Sequence, residues 1–234
     1  MNKTKDKKRK YDNKLSAQLI KHDDFLLEKL KEEWEQIQKG AKREEIVRKT
    51  KEAGIFAVKT VLVLAAIAGV LCIAAVAPNV FVAFGRSRGG RRGFFNERDF
   101  KNGMRYLKNQ GQIIVKNKQS NQFEISLTDT GRKVILKSAF DQLKIDKKKP
   151  WDRIWRIVAF DIPNKHKWAR DGFRRKLLSL GFYRLQKSLF IIPFACGQEL
   201  EFLAGIYNIS GHIKLIKTQD INGDEEIKES FGLN

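Results

Sequence analysis

The 234-residue chain carries 47 Lys and Arg against 27 Asp and Glu, a formal charge of +20, and an excess of that size points to a polyanionic partner, nucleic acid or an anionic membrane. Its apolar fraction of 42% is that of a globular protein and excludes wholesale disorder. Two cysteines, Cys72 and Cys196, exclude a disulfide-stapled fold and a four-cysteine zinc site. Three scattered histidines, His22, His166 and His212, leave little for a structural metal. The opening MNKTKDKKRKYDNK has no apolar run behind it and does not read as a secretory signal.

The charge is unevenly placed. Residues 1–50 carry 15 positive and 10 negative side chains, residues 86–149 carry 17 and 6, and residues 151–234 carry 13 and 10. The middle segment holds more than half of the excess and is the candidate polyanion reader.

In chain order, residues 1–52 read as a basic helical arm. Leu27, Leu30, Trp34 and Ile37 fall at 3-4-3 spacing, either a short coiled coil with a partner or a solvated helix packed on its own chain. Residues 60–85 hold no charge. From Ile55 to Ala77 the run has the length of a membrane span, about 20 apolar residues, if Lys59 snorkels. Against that, it is Ala-rich and breaks at Pro78-Asn79, and both flanks are basic: Arg43, Arg48, Lys49 and Lys51 before it, Arg86, Arg88, Arg91 and Arg92 after. The other reading makes 55–85 a set of very apolar helices buried in a soluble domain, broken near Gly69 and Pro78. Residues 86–93, RSRGGRRG, are a basic Gly-rich linker that could track phosphates.

A helix is expected from the N-cap Asn96 to the stop Gly111, with Glu97 and Asp99 in its first turn. Phe100, Met104 and Leu107 share one face. Arg98, Asn102, Arg105 and Asn109 share the opposite face, flanked by Lys101 and Lys108. Arg pairs bidentately with guanine, Asn with adenine, and Lys reaches phosphates, so this face suits a major groove. Taken alone, an ordinary amphipathic helix with a solvated basic face is the simpler reading. QIIVK (112–116) and QFEISL (122–127) are β-rich runs around the polar turn NKQSN, a hairpin bearing Lys116 and Lys118. Thr128 then caps a helix, TDTGRKVILKSAFDQL. This order resembles a winged-helix DNA-binding domain over 54–143, with the apolar helices as its scaffold.

Pro150 marks a boundary. A strand from Ile154 to Phe160 ends at Asp161, and a helix follows with core face Ala169, Phe173, Leu177 and Leu180 and basic edge Lys167, Arg170 and Arg174. FYRLQKSLFIIPF (182–194) gives two short strands around Gln186-Lys187-Ser188. A helix at 198–207, a strand at 212–221 and an acidic terminal helix complete residues 150–234, a ferredoxin-like β-α-β-β-α-β order. The fold class expected for the whole chain is α+β, a winged helix-turn-helix domain followed by this ferredoxin-like one.

WDRIWRIVAFDIP followed by RDGFRRKLLSLGFYRLQKSLFIIP resembles the central domain of the phenylacetate-catabolism repressor (PaaX) family over about 151–221. That domain is similar to the second CRISPR-associated protein, "Cas two". The resemblance implies a homodimeric transcription repressor; the expected partner is double-stranded DNA, the expected location the cytoplasm, and no cofactor is expected. It also implies an alternative, a Mg²⁺-dependent nuclease acting through Asp161, the counterpart of an aspartate proposed to hold metal in the Cas two family. One carboxylate per chain makes a thin metal site, so a structural role for Asp161 at the strand end is the simpler reading. A third class is a membrane-anchored basic protein using 55–77, its basic domain cytoplasmic. Asp171 and Arg175 are expected to form a surface pair, and Cys196 a buried thiol.

Overall fold

The structure, a computed structural model, describes residues 2–38, 62–63, 65–66, 70–74, 97–118, 122–147 and 150–233, the side chains at 2–4, 34, 36–38, 70–74, 97–100, 117–118 and 122–123 excepted. Residues 1–22 and 142–234 form one compact unit and residues 23–141 another. The helical arm expected over 1–52 is therefore shared out. Helix α1 (Asn2–Lys21) belongs to the first unit and α2 (Asp23–Gln38) to the second.

In the middle unit, α2 opens with Asp23 and Asp24, acids that suit the positive end of the helix dipole. Its buried positions are Leu26 and Leu30, with Leu27 only half-buried, so the seam expected at Leu27 lies one residue earlier. Trp34 and Ile37 side chains lie outside the described residues. Leu62 and Ala65 are helical and buried. Strand β1 (Val70–Ala74) follows, then α3 (Glu97–Asn109), β2 (Ile113–Lys118), β3 (Gln122–Leu127) and α4 (Asp129–Gln142). The three strands form an antiparallel sheet in the order β1-β3-β2. Leu107, Ile113, Ile125, Ile135, Leu136 and Phe140 supply buried side chains.

β1 corrects the reading of 55–85 as helices at 70–74; residues 62–63 and 65–66 are helical, and the remainder of that range lies outside the described residues. Val70 lies opposite Ser126 and Ala74 opposite Gln122, so Ile55–Ala77 is not one continuous helix. What precedes β1 is shorter than the ~20 residues that a span needs. Among the described residues no helix is long and apolar enough to cross a membrane. An uncharged run of Val, Leu and Ile fits a buried strand as well as a helix, and here the free side of β3 decides between them.

The other unit holds the second sheet. Strand β4 (Trp155–Phe160), a 3₁₀ turn (Asn164–His166), α5 (Lys167–Ser179), β5 (Tyr183–Gln186), β6 (Leu189–Ile192), α6 (Gly197–Tyr207), β7 (Ile213–Thr218) and α7 (Glu225–Phe231) follow in turn. The sheet is antiparallel in the order β5-β6-β4-β7, the ferredoxin-like arrangement. Alternation along β4 separates two layers. On one side Phe160 packs on Phe190 and Phe173, with Ala169, Leu177 and Leu203 also buried. On the other side Trp155 and Ile191 meet Ile227 of α7, flanked by Trp151 and Phe231. The acidic terminal helix thus covers a sheet face. Tyr183 donates to Glu226 at 2.6 Å and the Trp155 indole to Asp224 at 3.3 Å.

Candidate nucleic-acid interface

α3 stands where it does because its C-terminal end is tied down. There Gly111 takes a left-handed φ of 62°. The Gln112 amide donates to the Leu107 carbonyl at 2.9 Å and the Gly111 amide to Lys108 at 3.0 Å, closing the last turn. The Thr128 hydroxyl donates to the Gly111 carbonyl at 2.6 Å and accepts from the Gly131 amide at 3.1 Å. One side chain therefore caps α4 and fastens the end of α3 to it. A Cβ on Gly131 would come within 2.1 Å of the Gln112 carbonyl oxygen, so that position holds only glycine. Arg132 next to it pairs with the buried carboxylate of Asp23, joining α2 to α4.

On α3, Gly103 and Leu107 are buried and Met104 is half-buried, while Lys101, Asn102, Arg105, Lys108 and Asn109 are exposed. The expected polar face thus looks to solvent. Arg98 lies on the same face by helix position, but its side chain, with those of Phe100 and Lys118, is outside the described residues, as is Asn96. Lys116 is exposed on β2, opposite Glu124 in the ladder, and Lys118 stands opposite Gln122 at the hairpin end. Sequence reasoning passed over Tyr106. It is 54% exposed and sits one turn after Asn102, a position the helical spacing could have flagged.

The basic edge expected on α5 is partly consumed by structure. Arg174 donates to the Lys187 carbonyl at 2.8 Å, reaches the Ser188 hydroxyl at 3.4 Å and lies over the Phe160 ring. It clamps the Gln186-Lys187-Ser188 turn. Arg170 donates to Asn164 at 2.6 Å. Asp171 faces Arg170 and Arg174, both at 3.8 Å, rather than Arg175. Arg175 instead lies over the ring of Tyr11, 4.7 Å from its centroid, and this corrects the expected pair.

Asp161 is exposed at the end of β4, its amide donating to the His212 carbonyl at 3.0 Å. His166 and His212 stand with ring centroids 6.3 Å apart. Among the described residues no three His, Cys, Asp or Glu side chains are grouped to hold a metal. A divalent ion needs several oxygen ligands, and the described residues around Asp161 do not supply a set that fits one. Cys196 is buried, and burial pushes its thiol up to about 12, far from a reactive thiolate.

Arg156 is buried in β4, donating to the carbonyls of Pro193 at 2.6 Å and Ile154 at 2.7 Å and to Asp152 at 2.7 Å. This bond to Arg156 holds the Asp152 carboxyl at about 2. The network anchors the start of the strand that ends at Asp161.

Residues 148–229 match the family model described as the PaaX protein central Cas2-like domain. That stretch is about a third of the chain and runs from just ahead of β4 into α7. The ferredoxin-like unit is similar to that domain. No curated protein matches the chain.

Proposed function

We propose that this chain is a PaaX-like DNA-binding regulator, a homodimeric repressor working in the cytoplasm. The observation that carries the reading is the middle unit: a helix with a buried Leu107 and an exposed Arg/Asn/Lys face, running directly into a hairpin of a three-stranded sheet. That order is the one a winged helix uses, with α3 for the major groove and the β2–β3 hairpin for the flanking phosphates. Its readers are Arg98, Lys101, Asn102, Arg105, Lys108 and Asn109 on α3, with Lys116 and Lys118 on the wing. The Cas2-like match supports the family and, with it, a dimer that sets two half-sites. In this reading β7 is the assembly edge, because it pairs only with β4 among the described residues and leaves Leu215 and Ile216 39% and 48% exposed.

Selection from a random duplex pool with the full chain tests the proposal. The expected result is an enriched inverted repeat, bound without added Mg²⁺. Recovery of no preferred sequence would remove the regulator reading.

A further inference from the structure

Helix α1 is seated on the ferredoxin-like unit by one side of its second half. Leu15 and Leu19 are buried. The hydroxyls of Tyr11 and Tyr207 are 3.0 Å apart, and the Tyr11 ring lies 5.7 Å from Trp168. Lys14 stands 4.5 Å over the Trp168 ring and Arg175 stands 4.7 Å over Tyr11. Gly172 makes this approach feasible: a Cβ there would fall 2.5 Å from the Tyr207 ring and 2.9 Å from the Tyr11 hydroxyl. The seat fixes the direction of the half of α1 that precedes it.

That half is unusual for a helix. Lys5, Lys7, Lys8, Arg9 and Lys10 are all exposed, and no acid stands in the first turn. Cations at the start of a helix oppose its dipole, and like charges one turn apart repel. Asp6 and Asp12 are the only acids of α1, so the excess is not balanced within the helix. The sequence accepts this local cost on a helix that the aromatic seat holds in place.

We infer that α1, with Arg175 beside it, is a second contact surface for the phosphate backbone of duplex DNA, separate from α3 and the hairpin. The inference rests on the proposed regulator reading. Lys7 to Lys14 covers about 10 Å of helix axis, comparable with about three nucleotide steps of 3.4 Å. Such contacts carry no sequence information but add affinity. A membrane is the weaker partner for this helix. Its exposed half has no apolar side chain to insert, and its leucines are already buried.

The test compares the full chain with its Lys7→Gln/Lys8→Gln/Arg9→Gln/Lys10→Gln variant. Glutamine keeps helix propensity, and circular dichroism checks the fold. Affinity for a random-sequence duplex is followed by fluorescence anisotropy across a salt series. The expected result is a salt slope shallower by about 3 to 4, since each lost phosphate contact removes roughly 0.9. An unchanged slope in a variant that binds the duplex like wild type overturns the inference and leaves the regulator reading standing. Failure of the wild-type chain to bind any duplex overturns both. Binding of wild type but not variant to phosphatidylserine vesicles, with the duplex slope unchanged, overturns the inference and makes α1 a lipid contact.

Discussion

Arg105 and Asn102 are side chains whose value lies outside the fold, since both project from the solvent face of α3. Arg105→Ala is expected to weaken binding to a selected site by about 1–3 kcal/mol and to leave thermal stability unchanged, with mobility-shift titration as the measurement. Lys118→Ala should weaken all sequences alike and lower the salt slope by about 1. Wild-type discrimination in the Arg105 variant would remove α3 from recognition. Asp152 is a side chain of the opposite kind, used entirely by the fold. Its folded pKa of about 2 lies below its ordinary 3.8 because Arg156 binds the charged form. The pair therefore stabilises the protein above the ordinary carboxylate range, and the contribution is lost as pH falls from about 4 through about 2. Asp152 is half-exposed, so the gain is screened and stays below about 1 kcal/mol. Urea titrations at descending pH should show a smaller acid loss in Asp152→Asn than in wild type. Parallel curves would show that the pair is not linked to folding.

Elements depend on single close approaches, and α4 is the clearest case. Gly131 lets the first turn of α4 rest on the Gln112 carbonyl, while Thr128 caps the same turn and holds Gly111. Gly131→Ala is expected to separate α4 from the end of α3, costing more than the roughly 1 kcal/mol that loss of the Thr128 cap would cost. Thermal melts of the two variants rank them, and a Gly131→Ala chain as stable as wild type would contradict the packing. The elements also show what a sequence makes legible. The residues from Trp151 to Thr218 could be read because alternating strands, a 3.6-period helix and turn residues agree there. α3 could be read from its period and from Gly111. β1 could not, because an uncharged aliphatic run has no period of its own and its pairing residues lie some fifty positions away in β3. The seat of α1 was hidden for a related reason. Tyr11 sits among charges and looks solvated until Trp168, Arg175 and Tyr207 are brought to it. Asp171 looked like a partner for Arg175 on helix spacing alone, whereas the ring of Tyr11 competes for that guanidinium.

For the whole molecule, the proposed assembly edge is β7, at the end of the second sheet. Leu215 and Ile216 sit side by side on β7 and so point to opposite faces of the strand, exposing apolar surface on both. The full chain is expected to sediment as a dimer, and Ile216→Lys to shift it toward monomer while its circular dichroism stays unchanged. A monomeric wild type at high concentration would withdraw the two half-site mechanism.

The ferredoxin-like unit is assembled from two stretches of chain, 1–22 and 142–234, with the middle unit encoded between them. On the ribosome α1 is made long before α5 and α6. Until α5 and α6 emerge, Tyr11 lacks the Trp168, Arg175 and Tyr207 side chains that seat it, and the lysines ahead of it ride on an unanchored peptide. That peptide shares its surroundings with ribosomal RNA, itself a dense polyphosphate. Synthesis therefore sets an order in which the middle unit can mature first and the discontinuous unit closes last. A mutation that slows the closing step would expose a basic, leucine-bearing segment to proteases and to nucleic acid. Such a change could lower the yield of the protein without weakening any contact of its finished form.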